Sequence, residues 1–372
     1  MARHASPEMS RTRIRSMAIA VLVLTAFVLA MIASYSGAFA RPTLHHMTVA
    51  VAAPEQVVGA LRDQDALQVT EVADDAAART QVDERKADSA FVVSPTGQMT
   101  IYVAGGGGRS VANAAETVGR QIAAKGGFTT TVEDIAPTSA ADPSGTVEFY
   151  AVIFISIGAS LGATAFGYIM GAVHTPRRFL LRTMTLVGYS ALLAGVVTLY
   201  VDGMLGALTG HTWLVFGSLW LYSMAVAGVI TGVAAAVGSL ASMALTLFLV
   251  VVGNAAAAGP VGKPLLSGFY ATFNAIVPQG SGVALLRSVE YFGGNGAATP
   301  VATLVIWAAA GCAFAIVALA SRMNYRALYD RFAGRDRALL RSGGLPSARR
   351  DTVGAGADLV RPRAGVGVRV QP

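Results

Sequence analysis

The sequence predicts an α-helical polytopic membrane protein with six transmembrane helices and a small α/β extracytoplasmic domain between helices one and two. Three observations predict it. Of the 372 residues, 54% are hydrophobic and 13% are charged, where an average soluble domain carries about 25% charged residues. The apolar residues gather into uncharged runs, and a membrane helix needs roughly 20 residues of this kind. Basic residues crowd the first fifteen positions, residues 173–182 and the tail beyond Ala320, while residues 41–148 are net acidic. That asymmetry marks the arginine-rich side as cytoplasmic.

The formal charge of +7 and the isoelectric point near 9.7 come from these clusters. They therefore exclude a nucleic-acid partner rather than suggest one. The single cysteine, Cys312, falls in an apolar run, which rules out an intrachain disulfide and gives it a packing role.

Residues 1–15 form a cytoplasmic basic N-terminus. Residues 16–39 form the first span. The sequence up to Ala40 also fits a signal-peptidase site, so an uncleaved anchor and a cleaved leader both remain open. Residues 41–146 alternate strand and helix patterns: strands near 47–53, 67–72, 90–93, 99–103 and 128–135, and helices near 54–62, 74–85 and 110–125. Ser94-Pro95-Thr96-Gly97 predicts a turn between adjacent strands. Residues 138–145 read as a linker.

Residues 147–320 form a five-helix membrane domain, with spans near 147–172, 183–201, 214–236, 240–258 and 301–320. Trp213 suits an interfacial anchor. Between the last two spans, two apolar pieces flank Pro278, Gly280 and Gly282, and each is too short to cross. They predict a re-entrant hairpin over 263–292, turning at 278–282 and shielded by neighbouring helices. Arg287 and Glu290 suit an i,i+3 pair within it. Residues 321–372 form a basic cytoplasmic tail, with an amphipathic helix over 323–341 and disorder after about 343.

Small residues at a spacing of four allow helices to approach closely. Gly158, Gly162, Gly167, Gly171, Gly228 and Gly232 are candidates for this packing. Asn254 is the notable polar residue of the fifth span, and its amide needs partners in an apolar setting. No Asp, Glu, Lys or His is evident inside the spans, which counts against a self-powered ion-coupled carrier. The Gly105–Gly108 run lacks the Gly-Lys-Ser/Thr ending of a phosphate loop and reads as a flexible turn. No catalytic triad or metal-ligand spacing emerges: His45, His46 and His211 read as solvated. The chain is not expected to be an enzyme or to hold a metal or cofactor.

These features resemble the ABC-2-type permeases, and within them the YhgE/Pip-like and DUF3533-like membrane proteins. The likeness rests on the anchor, the external domain and the five clustered spans. It also rests on three stretches: Val251-Val252-Gly253-Asn254-Ala255 through Gly259-Pro260, Leu265-Leu266 to Pro278-Gln279-Gly280, and Leu285 to Phe292. It covers most of residues 15–320. The external domain after the first span, with no amphipathic helix before that span, departs from the simplest permeases.

The resemblance implies an exporter permease in the bacterial cytoplasmic membrane, moving a hydrophobic or amphipathic compound, lipid or surface polymer. It implies partners: cytoplasmic ABC ATPase subunits that hold the ATP, a second permease copy or paralogue, and membrane lipids. A coupling loop containing His174, Arg177, Arg178 and Arg182 would contact the ATPase. A non-transporting envelope scaffold, receptor or secretion-accessory protein is the alternative that the same group contains. Enrichment in Ala, Gly and Arg with few Lys resembles the actinobacterial members.

Overall fold

A computed structural model describes residues 11–171 and 173–322. Residues 1–10 and the tail after Arg322, with its expected amphipathic helix and disorder, lie outside the described residues. Six helices among the described residues are long and apolar enough to cross a membrane. They are α1 (Arg11–Phe39), α5 (Val147–Met170), α6 (Pro176–Thr198, extended by a π-helical turn to Met204), α7 (Thr212–Ala236), the composite of α8 (Ser239–Phe248) and α9 (Asn254–Ala256) joined by a π-helical turn, and α12 (Ala298–Arg322).

Between α1 and α5 lie β1 (Met47–Ala52), α2 (Glu55–Arg62), β2 (Leu67–Glu71), α3 (Asp75–Asp83), β3 (Ser89–Val93), β4 (Gln98–Val103), α4 (Arg109–Gly126) and β5 (Thr129–Asp134). The five strands form one sheet in the order β2-β1-β3-β4-β5. Only β3 and β4 run antiparallel, with Ala90 opposite Tyr102. They are joined through the 94–97 turn, where Gly97 takes a positive φ of 79°, a conformation glycine adopts at no steric cost. Asp74 starts α3 by accepting from the Ala77 amide, and Gly127 ends α4 in the left-handed conformation.

Strand alternation buries both faces. Val49, Val51, Phe91 and Ile101 pack with α2 and α4 through Leu61 and Ala115. Ala50, Ala90, Val92 and Tyr102 pack with Ala78 and Val82 of α3. The first of these cores does not stop at the sheet domain. It continues through Ala38 of α1 and through Ala255, Leu265 and Leu266. The sheet domain thus shares a core with the helices and falls in one compact unit with them.

The helices gather around α7, which buries Val215, Leu219, Tyr222, Val226 and Ile230. A helix that is apolar on every side belongs in the middle. The candidate packing glycines divide into three groups. On α5, Gly162 lies under the Tyr189 ring and Gly158 offers its carbonyl to the Tyr189 hydroxyl at 2.9 Å. Gly167 faces Arg182, at 3.1 Å from a would-be Cβ, and Gly171 is open with φ 64°, ending α5. On α7, Gly228 and Gly232 meet the backbone of Ala308 and Gly311 on α12.

Two boundaries differ from the sequence expectation for a physical reason. Pro176 at the first helical position and the Thr175 hydroxyl, accepting from the Arg178 amide, start α6 well before the apolar run. Arg177, Arg178 and Arg182 therefore sit in the first two turns of a helix, not in a loop. The expected hairpin is a helix, a kink and a helix: α10 (Gly268–Ile276) and α11 (Pro278–Tyr291). Pro278 forbids a helical conformation at its predecessor, and Val277 is extended (φ −76°, ψ 150°). The break is at Val277, so Pro278, Gly280 and Gly282 open α11 instead of forming a turn.

Candidate functional site

α11 is the most enclosed of the longer helices among the described residues. Eleven of its fourteen residues are buried, including Gln279, Ser281, Arg287 and Ser288. Its entry is fixed by close packing. A Cβ on Gly280 would collide with the Asn274 carbonyl, and one on Gly282 would lie 3.0 and 3.1 Å from Tyr222 and Val152. Trp307 Nε1 donates to Ile276 O, freed by the break, at 2.8 Å, and Asn274 Nδ2 donates to Ala256 O at the end of α9 at 2.8 Å. α11 then joins two buried polar clusters, one at each end.

At the first end, Gln279 is fully buried. Its Nε2 donates to Ser156 Oγ on α5 at 3.2 Å and to the Leu249 carbonyl at 3.0 Å. Leu249 opens the π-helical turn Leu249–Gly253, a distortion frequent at functional sites. Side chains from other helices supply donors to that turn, because Ser34 of α1 also donates to Val251 O at 2.9 Å. Gly253 lets Gln279 come close: a Cβ there would sit 2.6 Å from its Oε1. Asn254 and Tyr222 are fully buried beside this turn, Asn254 next to the Tyr35 hydroxyl and the Tyr222 hydroxyl next to Ser156. Gln279→Leu is expected to lower stability by about 1 kcal/mol, since a membrane hydrogen bond averages less than its soluble counterpart. Thermal unfolding in mild detergent measures it.

At the other end, Arg287 reaches three segments at once. Its guanidinium donates to Gly107 O at 3.1 Å, Gly145 O at 3.3 Å and Gly259 O at 2.7 Å. Arg287 and Glu290 do not pair: Glu290 Oε1 accepts from the Gly210 amide at 2.8 Å. The charge that acts on Arg287 is Glu148, in the first turn of α5, which is fully buried beside the Tyr291 hydroxyl. The spans therefore do hold a buried acid, contrary to expectation. It went unnoticed because it sits one residue inside the edge of its apolar run.

The Gly105–Gly108 run is a docking surface rather than a flexible turn. A Cβ on Gly106 would overlap the Tyr291 ring, and Gly107 receives Arg287. From the sheet domain, Arg85 reaches back to Ala284 O at 2.8 Å and Ser288 Oγ at 2.6 Å, with its guanidinium 4.9 Å from the Phe292 ring centre. Burial, and then the nearby Arg287 charge, push the Arg85 guanidinium down to about 10, with Asp88 acting the other way. Burial pushes the Asp88 carboxyl up, and two bonds from Thr48 oppose that.

The four residues of the expected coupling segment lie at the opposite end of the bundle from this junction. His174, Arg177 and Arg178 are exposed. Arg182 is buried against the end of α5, 3.4 Å from Gly171 O. The structure thus brings Gln279 and Asn254 to one cluster and Arg287 to another, and leaves the arginine turn apart. No group of three or more metal-ligating side chains occurs among the described residues. No family model, curated protein or solved structure matches the chain.

Proposed function

We propose that the chain is the membrane subunit of an ABC-2-type exporter, driven by separate cytoplasmic ATPase subunits. It would work beside a second copy or paralogue and move a hydrophobic or amphipathic compound, lipid or surface polymer. In this reading both termini are cytoplasmic and the sheet domain is extracytoplasmic. The observation that carries it is the exposed arginine turn at the end of the bundle away from the sheet domain, joined by helices to α11.

Arg182 fastens the start of α6 to the end of α5, so a push on Arg177 and Arg178 moves both helices. α5 carries Ser156 to Gln279 and Glu148 to Arg287, and so reaches both ends of α11. α11 in turn holds the sheet domain through Arg287 and the Arg85 contacts. Such a chain of packed elements can transmit a displacement only if it has two arrangements, which a bound ATPase would select between.

Affinity purification of the full chain in mild detergent is expected to recover an ABC ATPase. Like charges set against an interface cost several kcal/mol. Arg177→Glu/Arg178→Glu is therefore expected to cut that recovery at least about tenfold, with the thermal melt unchanged. Normal recovery in the charge-reversed protein would defeat the coupling role. The exposed residues of edge strand β2, Gln68, Thr70 and Glu71, favour a second reading, a non-transporting scaffold. Recovery of an envelope protein with no ATPase would decide for it.

A further inference from the structure

α6 and α12 both pack along α7, and a groove runs between them with α7 as its floor. It is a narrow slot of about 70 Å³, open along one side, and a further stretch of about 30 Å³ leads toward the arginine end. Phe179, Leu186, Thr231 and Ala315 line both parts. The space exists because the floor and wall are built from small residues. Close contact of Gly228 and Gly232 with Gly311 holds α12 down on α7, and Ala227 and Ala315 do not fill what remains.

The groove changes character along its length. Its deep part is apolar apart from the hydroxyls of Thr183, Ser190 and Thr231, and Ser190 Oγ and Thr231 Oγ1 are buried with no hydrogen-bond partner among the described residues. Its mouth carries Arg182 and Arg322. Arg182 is 7% exposed, its Nε has no partner, and its one bond is the long contact to Gly171 O. Arg322 donates to Ala235 O at 2.6 Å. Neither has an acid beside it among the described residues. Between Glu148 and Asp330 the chain's only acids are Asp202 and Glu290. Both are engaged at the sheet-domain end, with Thr212 and Gly210 respectively.

Two guanidiniums without a carboxylate, at the mouth of an apolar slot, ask for an anion attached to a hydrocarbon chain. A narrow slot open along one side has room for a single chain laid along it, and arginine binds phosphate oxygens with charge-assisted, often paired, hydrogen bonds. We propose that this groove binds an anionic phospholipid, with an acyl chain between α6 and α12 and the phosphate at Arg182 and Arg322. The Thr231 hydroxyl, between mouth and floor, is placed to donate to an ester carbonyl. A second copy of the chain is the weaker occupant, because an apolar helix brings no charge to the two arginines. The site does not depend on whether the chain exports anything.

The test uses the full chain in mild detergent with phosphatidylglycerol and phosphatidylcholine in equal amounts. Native mass spectrometry is expected to show phosphatidylglycerol retained several-fold over phosphatidylcholine. Cys312 lines the groove and reports position: phosphatidylglycerol, not phosphatidylcholine, should slow its modification by N-ethylmaleimide. Arg182→Gln/Arg322→Gln should abolish the preference between the lipids, and Ala315→Trp should abolish retention, with the thermal melt reporting that each variant is folded. Arg322→Gln alone, at the exposed helix end, should weaken the preference should the double variant not fold. Equal retention of both lipids, or phosphatidylglycerol binding untouched by the charge and plug variants, overturns the proposal. So does cross-linking of Cys312 between two copies with no lipid retained, which would assign the groove to a second copy.

Discussion

Arg287→Leu is expected to destabilise the protein by several kcal/mol, since each buried carbonyl left without its donor costs about 1–3 kcal/mol. The side chain is 5% exposed, and its loss strands the carbonyls of Gly107, Gly145 and Gly259 together with the Glu148 carboxylate. Those carbonyls belong to the glycine run of the sheet domain, the connection into α5 and the segment after α9. The same change should therefore loosen the seam between sheet and helices before the bundle melts. Limited proteolysis is expected to cut first within residues 137–146, and thermal unfolding in detergent should begin earlier. Glu148→Gln in the same chain removes the stranded charge. The double variant is expected to recover at least about 1 kcal/mol relative to additivity, since contacting charges couple by 0.5–3 kcal/mol. Additive losses would mean that Glu148 and Arg287 do not act as a pair.

This seam is where sequence reasoning lost resolution. The strands, helices and the 94–97 turn of the sheet domain were legible because alternation and turn chemistry are local. The six apolar helices were legible from composition. Arg85, Glu148 and Gln279 were not, because each acquires its meaning from a partner more than a hundred residues away. Arg85 carries a positive φ of 57° at the end of α3, a sign of constraint that a sequence does not display. The Gly105–Gly108 run was visible, but its use was not: glycine admits a flexible turn and a close contact equally, and only the Tyr291 ring over Gly106 decides. Within residues 263–292 the two helices break at Val277, not across the 278–282 turn that the sequence suggests. Pro278 and two glycines suggest a loop, yet proline suits a first helical turn and acts on the residue before it.

Glycines on one helix separate local propensity from packing. On α7, Gly217 has open space where a Cβ would go, whereas a Cβ on Gly232 would enter the Gly311 backbone of α12. Gly217→Ala is therefore expected to stabilise the chain by about 1 kcal/mol, the difference in helix propensity. Gly232→Val is expected to cost about 3 kcal/mol or more, at the upper end of overpacking. The obstacle is main chain on both sides, so no rotamer change relieves it. α7 cannot retreat either, because its other faces are packed against α5, α6 and α11. α12 would have to lift away, which would expose Gly228 and Gly311 and open the groove at its floor. Thermal unfolding in detergent should show the two substitutions moving in opposite directions, and Cys312 should become faster to modify in Gly232→Val alone. If both changes stabilise, α12 is not held by this glycine contact, and the groove beside it loses its wall.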